Sequence, residues 1–485
     1  MTTTEEQLDR RWTALILLCA AQFVVVLDAS IVNVALPSIG TGLHFSEANL
    51  PWVVNAYVIA FGGFLLLGGR AADLLGRRRV FMAGLLVVAV ASLLAGFATN
   101  QGQLIAARAA QGLGAAIISP SALSIVTTLF RDGVERNKAL GAWGAVAGSA
   151  GAAGVLLGGI LTEGLGWEWV LWVNVPVSLI ALALTPGLIP ESRSESATRH
   201  YDAAGALTVT AGLSLLAYAL LDATSSGWGS TKIISLLALS VALLGAFVAI
   251  ELRSKAPLVP FRIFRLRTLT GANVVGILLG ASLFSMFFFI SLYMQQVLGY
   301  SPIHAGLSYL PLAITIIIAA GLGGQLVTRF GFKVILAGGM LLIALGLAWF
   351  SRISVAGGFI SDILGPSLLA AIGLGFGFVT STIAAVSGVE EHEQGLASGL
   401  INTSQQIGGA LGLAVLSTIA TSRTDHVLAT GASNASALTE GFQSAFLGGA
   451  VIAFVGFVAT LVLIRTRDSR AHVEMANAQA TPVRA

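Results

Sequence analysis

Long apolar runs, each closed by charges or by a Gly, Pro or Asn cluster, recur along the chain. They fall at about 13–37, 51–69, 79–98, 103–128, 139–162, 167–187, 204–222, 231–251, 269–293, 304–327, 334–351, 359–384, 395–420 and 443–464. Each offers close to the ~20 apolar residues a helix needs to cross the hydrocarbon core of a bilayer. The pattern predicts fourteen membrane helices, with Asp362 making the start of the twelfth run the least regular. The expected fold class is an all-α integral membrane protein. The first run is longer than a signal-peptide core and follows Glu5, Glu6 and Asp9 rather than a basic segment, so it is expected to remain in the mature chain.

Composition agrees with the pattern. Of 485 residues, 56% are hydrophobic and 10% charged, against about 45–50% and 25% in soluble domains. A soluble globule and a large extramembrane domain are both excluded. The single cysteine, Cys19, rules out an intrachain disulfide and a multi-cysteine metal site. An even span count puts both termini on one side, and the basic residues say which. Twenty-two of the 26 lysines and arginines fall in the tails and in the loops on the terminal side. Lys232, Arg352 and Arg423 fall on the other side, and Arg108 lies inside a span. By the positive-inside rule both termini are cytoplasmic and the protein sits in the cytoplasmic membrane. The net charge of +3 thus has a topological role and does not point to nucleic acid. One loop on that side, Gly388 to Gly395, instead carries Glu390, Glu391, His392 and Glu393. Acids beside a positive helix start account for it better than a metal site does.

Two loops share a Gly-x6-Gly spacing: Gly69 to Gly76 after span two, and Gly324 to Gly331 after span ten. If they mark equivalent places, the chain holds two six-helix pseudo-repeat bundles with two inserted central helices. The expected division is a tail over 1–12, an N-terminal bundle over 13–187 and a loop over 188–203. Two inserted spans over 204–251, a basic loop over 252–268, a C-terminal bundle over 269–464 and a tail over 465–485 complete it. Repeats of this kind place a substrate path at their interface near the bilayer midplane. The inserted spans carry no deep charge, with Asp222 and Glu251 at their ends, and read as lipid-facing.

The chain has no Gly-x4-Gly-Lys-Ser/Thr loop, no His-Glu-x2-His, no Gly-x-Ser-x-Gly and no CxxC. No enzyme, cofactor or metal is therefore expected, and energy must come from a gradient or a partner. Gly373, Gly375 and Gly377 lie inside an apolar run and suit close helix contact. Two ionisable groups do lie deep in the membrane, where each is costly enough to suggest function. Asp28 lies about 13 Å and Arg108 about 9 Å below the outer surface at 1.5 Å per residue. A purely structural pair is one reading. The other is a carboxyl that gains and loses a proton: burial favours its neutral form and a nearby cation its charged form. One deep acid implies that exchanging a proton for a monocation moves no net charge, whereas exporting a neutral compound draws on the membrane potential.

The segment Gly69-Arg70-Ala71-Ala72-Asp73-Leu74-Leu75-Gly76-Arg77-Arg78-Arg79 resembles the loop signature of the major facilitator superfamily. The fourteen-span count resembles its drug:proton antiporter branch. Leu27 to Pro37, with Asp28 and Asn33, is similar to the first-helix motif of that branch. Ala107 to Ala115 is similar to the fourth-helix motif, whose arginine, here Arg108, the resemblance ties to proton transfer. Trp167 to Pro176 matches the start of span six, and Asn402 to Gly409 adds a match in span thirteen. Gly148, Gly151, Gly154, Gly158 and Gly159 on span five resemble the antiporter motif, with Val155 where the pattern has proline. Asp73 and Arg77, framed by Gly69 and Gly76, have the chemistry of a cytoplasmic latch between the halves. Arg78 and Arg79 read as topogenic charge. For the substrate cavity the uncharged polar and aromatic candidates are Gln22, Asn33, Asn55, Tyr57, Gln111, Phe288, Tyr293, Asn402, Gln405 and Gln406. Such linings suit amphipathic organic molecules. The resemblance implies proton-driven export of a drug, antibiotic or toxic metabolite. An uptake symporter of the same fold is the alternative. The partners expected are a small-molecule substrate, protons and membrane lipids, with no obligatory protein partner.

Overall fold

The structure, a computed structural model, describes residues 2–45, 50, 52–130, 134–192, 202–254, 257–390 and 393–480. Glu391 and His392, like Arg131, Arg193, Arg199, Lys255 and Arg484, lie outside the described residues.

The helices, in order, are α1 (Thr2–Gly42), α2 (Trp52–Leu75), α3 (Arg77–Gly96), α4 (Gln101–Leu129), α5 (Val134–Gly164), α6 (Glu168–Trp172), α7 (Asn174–Leu188), α8 (Ala203–Ser226) and α9 (Thr231–Glu251). After them come α10 (Arg267–Leu292), α11 (Pro302–Ser308), α12 (Leu310–Phe330), α13 (Phe332–Phe350), α14 (Gly365–Val386), α15 (Gln394–Ala429), α16 (Asn434–Leu463) and α17 (Thr466–Ala480). A chain crossing lipid must satisfy its own backbone polar groups, and a helix does so within one segment. At their ends the helices use polar caps: the side chains of Asn100, Ser230, Ser301 and Ser433 accept from the backbone N–H groups of Gln103, Ile233, His304 and Ser436.

Among the described residues eleven helical segments are long and apolar enough to cross a membrane, or twelve if α5, bent by 43° near Gly151, is one span. The fourteen predicted runs are all helical, but α8 is shorter in its apolar part and α15 is not among the qualifying segments. Several runs differ in detail from the expectation. The sixth is two helices, α6 and α7, and the tenth is α11 followed by α12. The twelfth begins with a π-helical turn, Phe359–Leu364, that carries Asp362. The bend in α5 arises without a proline, in a stretch rich in glycine, which is a recognised cause of kinks.

α1 to α7 pack on one another as one half, and α10 with α12 to α16 as the other. The halves meet along α5 with α12 and α14, and along α2 and α4 with α15. The inserted helices do not behave alike. α9 contacts α8 and exposes Ile234, Leu239, Val241 and Val248, as a lipid-facing helix should. α8 instead lies against both α2 and α15 and covers the seam between the halves. The expectation that both inserted spans are lipid-facing is therefore corrected for α8. The last turns of α8 and the turn beyond it are tied to the two halves, because Tyr218 of α8 stacks on Trp52 and the Trp228 indole donates to Thr418 Oγ1 at 2.8 Å.

One end of the bundle gathers both tails. Arg11 lies 3.8 Å from Glu135, and Asn137, two residues on, meets His472 of α17 at 3.1 Å. We call this the tail side. There the turns at Gly76 (φ 107°) and Gly331 (φ 79°) both adopt the left-handed backbone that favours glycine. Their outer neighbours differ: the Glu191 carboxylate lies over Gly76, and Ser469 of α17 over Gly331.

Candidate functional site

Asp28 and Arg108 form a buried ion pair, Arg108 Nη1 donating to Asp28 Oδ2 at 2.6 Å. Both are essentially out of solvent. Arg108 also donates to the backbone oxygens of Val53 (2.9 Å) and Asp28 (3.3 Å) and to Gln111 Oε1 (2.9 Å). The other carboxylate oxygen of Asp28 accepts from Asn174 Nδ2 at 2.5 Å and Gln111 Nε2 at 3.3 Å, and Gln111 Nε2 also donates to Ser92 Oγ at 2.7 Å. The Tyr57 ring lies 4.6 Å below the guanidinium, and its hydroxyl donates to Val25 O. Burying two charges costs several kcal/mol per ion, about as much as the pair regains, so full hydrogen bonding is what makes such a cluster tolerable. Five helices supply it to the two charges, α1, α2, α3, α4 and α7, and α5 braces α1 from outside the cluster. Tyr57 and Gln111 thus belong to this cluster and not to a substrate cavity. Asn174 and Ser92 carry no role in the sequence reading. The signal for Asn174 was its place in the Trp167–Pro176 motif as a lone amide in an apolar run.

The glycine motif of α5 is divided. Gly154 approaches Ser30, and a Cβ at Gly158 would lie 2.6 Å from the Ile31 oxygen, so these two seat α5 on α1 in its own half. Gly159 faces Ile303 of α11 and Gly151 faces Phe287 of α10, in the other half. Gly148 is helical, and its surroundings lie outside the described residues.

At the tail side Asp73 is fully buried. Its Oδ1 accepts from Arg77 Nη2 at 3.3 Å, and its Oδ2 accepts from the Leu396 backbone N–H at 3.2 Å. Leu396 lies in the first turn of α15, where the Glu393 cap position makes no side-chain cap bond. Asp73 of one half therefore caps a helix of the other, with its charge at the positive helix end. Arg77 is held by Thr128 Oγ1 (2.6 Å) and by its own backbone N–H to Ser192 O (3.0 Å). Arg78 and Arg79 both lie within 3.8 Å of Glu191, a partner not singled out in the sequence. Glu393, freed from capping, accepts from Arg262 Nη2 at 2.8 Å, and this bond raises the Arg262 pKa. Close backbone approach reinforces the junction. A Cβ at Gly399 would lie 3.4 Å from Leu65 O and 3.8 Å from Gly69, and one at Gly324 would lie 2.5 Å from Asn137 O. The two Gly-x6-Gly loops thus make equivalent contacts across the two seams.

A cavity of about 550 Å³, partly open, lies between α2, α8, α10, α15 and α16. Asn55, Leu220, Phe288, Leu292, Gln296, Ser417, Thr421, Thr424 and Phe442 are among its walls. Asn55 lies 18 residues before Asp73 on α2, a helical rise of about 27 Å away from the tail side. A second, small apolar cavity beneath it shares Leu220 and Ala410 and includes Gln406. Of the ten expected cavity residues, Asn55 and Phe288 line the large cavity and Gln406 the small one. Tyr293 is buried elsewhere, donating to Ser354 O and Asp362 Oδ2, so it secures a loop and is no cavity wall. Asn33 and Asn402 bond to carbonyls of their own helices. Gln22 and Gln405 are buried, with Oε1 and Nε2 respectively making no hydrogen bond among the described residues. Ser417, Thr421, Thr424 and Gln296 were missed, since lone hydroxyls and amides in or just beyond apolar runs carry no distinguishing spacing.

Two helical halves with a cavity between them, a buried charge cluster and a capped junction at one end define a multi-pass membrane transporter. Residues 18–413 match the Major Facilitator Superfamily, and the chain belongs to that family. It is accordingly a transporter and not an enzyme. It is 39% identical over 484 residues to the puromycin resistance protein of Streptomyces alboniger, covering 98% of this chain and 95% of that one. It is 41% identical over 456 residues to the cephamycin export protein of Amycolatopsis lactamdurans, covering 93% and 92%. With the tetracenomycin C resistance and export protein of Streptomyces glaucescens it shares 34% over 418 residues, 86% of this chain and 77% of that one. The human organic anion transporter MFSD10 has the same fold, with a TM-score of 0.64 at 15% identity over 93% of this chain and 99% of that one.

Proposed function

We propose that this protein exports a hydrophobic or amphipathic antibiotic or related toxic compound in exchange for protons, by alternating access. The fully bonded Asp28–Arg108 pair is the observation that carries the reading, since a buried acid and base in lipid are tolerated chiefly where they work. The relatives named for resistance to, or export of, puromycin, cephamycin and tetracenomycin C support the direction and the substrate class. No cofactor is required; the proton gradient supplies the energy.

In this reading all fourteen apolar helices, α8 and α15 included, cross the cytoplasmic membrane, and the tail side is cytoplasmic. The tail side is sealed by Asp73, and the cavity lies toward the outside. A proton arriving from outside neutralises Asp28, which ceases to hold Arg108 by charge. Arg108 keeps Val53 O and Gln111 Oε1, while the α1–α4 junction loosens. The halves then rock, Asp73 leaves the start of α15, and the proton departs inward as the next substrate enters.

The test uses purified protein in liposomes with an imposed pH gradient. Drug movement against its own gradient, driven by inward proton flow and lost in Asp28→Asn, is expected. Drug accumulation in the direction of proton flow would establish uptake symport instead. Uphill transport by a normally inserted Asp28→Asn protein would remove the proton role of Asp28.

A further inference from the structure

We infer that the 550 Å³ cavity is the drug site, that it takes molecules uncharged when bound, and that it is separated from the proton site by the thickness of α2. The inference deepens the export reading above and rests on it.

Successive residues of a helix are turned by about 100°. Val53 and Tyr57 of α2 therefore share one face, and both touch Arg108. Asn55, Val58 and Gly62 share the opposite face, and all three line the cavities. One helix thus has the proton cluster on one side and the substrate space on the other. None of the described residues lining either cavity is ionisable. The carboxylate of Asp28 is not available to a ligand either, because both of its oxygens are engaged by Arg108, Gln111 and Asn174.

An organic cation entering this space would give up hydration without meeting a counter-charge. Phe288 and Phe442 would offset only a small part of that through their ring faces. A neutral amphipathic molecule meets what it needs: aromatic walls, with uncharged donors and acceptors in Asn55, Gln296, Ser417 and Thr421. The volume lies within the roughly 300–1,000 Å³ common for small-molecule sites. Because the two sites do not overlap, substrate and proton do not compete for one carboxylate; α2 carries the coupling as a shared wall. Exchange of one proton for a neutral drug moves one charge per cycle. Each additional ~60 mV, inside negative, should then raise the attainable drug gradient about tenfold.

The experiment measures binding of neutral Nile red and of permanently charged ethidium to the protein in lipid nanodiscs, by fluorescence. The wild type should bind Nile red at least tenfold more tightly than ethidium. Asn55→Asp should gain ethidium binding about tenfold, and Leu220→Trp, which fills the cavity from α8, should lose Nile red. Asp28→Asn should leave the preference for Nile red over ethidium within about threefold, because its carboxylate lines neither cavity. Equal binding of both probes by the wild type, no binding of Nile red, or a reversed probe preference in Asp28→Asn would overturn the inference. These readouts require no proton flux. If Asp28→Asn still drives uphill transport, the proton-coupling reading fails while the binding results judge the site on their own.

Discussion

Replacing Asp73 with Asn should bias the transporter toward a conformer open at the tail side. The carboxylate does two things at once: it pairs with Arg77 inside its own half and caps α15 of the other half through Leu396 N–H. Asn offers one oxygen and must choose between them. If Arg77 keeps it, the cap is lost; if Leu396 keeps it, a charge-assisted bond becomes a neutral one. Hydrogen bonds to charged groups contribute about 1.5–3 kcal/mol against about 0.5–1.5 for neutral ones. A charge at a helix start contributes about 0.3–1 kcal/mol more. The inter-half contact should therefore lose about 1–2 kcal/mol, a 5–30-fold rise in the open-to-sealed ratio. Spin labels at Leu75→Cys and Phe330→Cys, both exposed ends of helices in opposite halves, would report it in a Cys19→Ser background. The longer-distance population should grow in Asp73→Asn, and transport should slow without loss of drug binding. An unchanged distance distribution would refute the capping argument.

Gly158→Ala should destabilise the protein by about 1–3 kcal/mol, because its Cβ would press on the Ile31 oxygen with no side chain able to yield; a thermal melt in detergent checks it. Gly76→Ala should cost about 1 kcal/mol or more, since φ is 107° and the new methyl meets the Glu191 carboxylate at 2.8 Å; adding Glu191→Ala should recover the steric part alone. Trp228→Phe should lose about 1 kcal/mol of attachment of the α8–α9 turn to α15, visible as faster hydrogen exchange around residues 226–230.

Charge made part of the site legible. Asp28 and Arg108 stand out against apolar runs, and Asp73 and Arg77 within a short loop, so their chemistry could be read before their geometry. Uncharged groups gave no such contrast. Tyr57 and Asn55 are two residues apart and equally suited to a cavity by residue type, yet the azimuth of α2 sends one to Arg108 and the other to the cavity. That azimuth depends on neighbours far away in sequence. The same holds for α8. Lipid tails and helix neighbours are equally apolar, so hydropathy cannot separate a lipid-facing helix from one wedged between two halves. The helical course was legible from the apolar runs, whereas helix breaks at Val173, Tyr309 and Leu364 were set by local turns.

The way the tail side is closed bears on salt. Gly399 against Leu65 and Gly324 against Asn137 are contacts of backbone shape, indifferent to mobile ions. Asp73, a buried carboxylate that joins the halves there, lies out of reach of solvent counter-ions, which screen exposed charges beyond about 8–10 Å at physiological strength. A cell that concentrates potassium severalfold during osmotic stress would therefore weaken surface pairs such as Arg11–Glu135 while leaving this closure as tight as before. On the proposed orientation, with the tail side cytoplasmic, the barrier against leakage of expelled drug is in that sense osmotically silent.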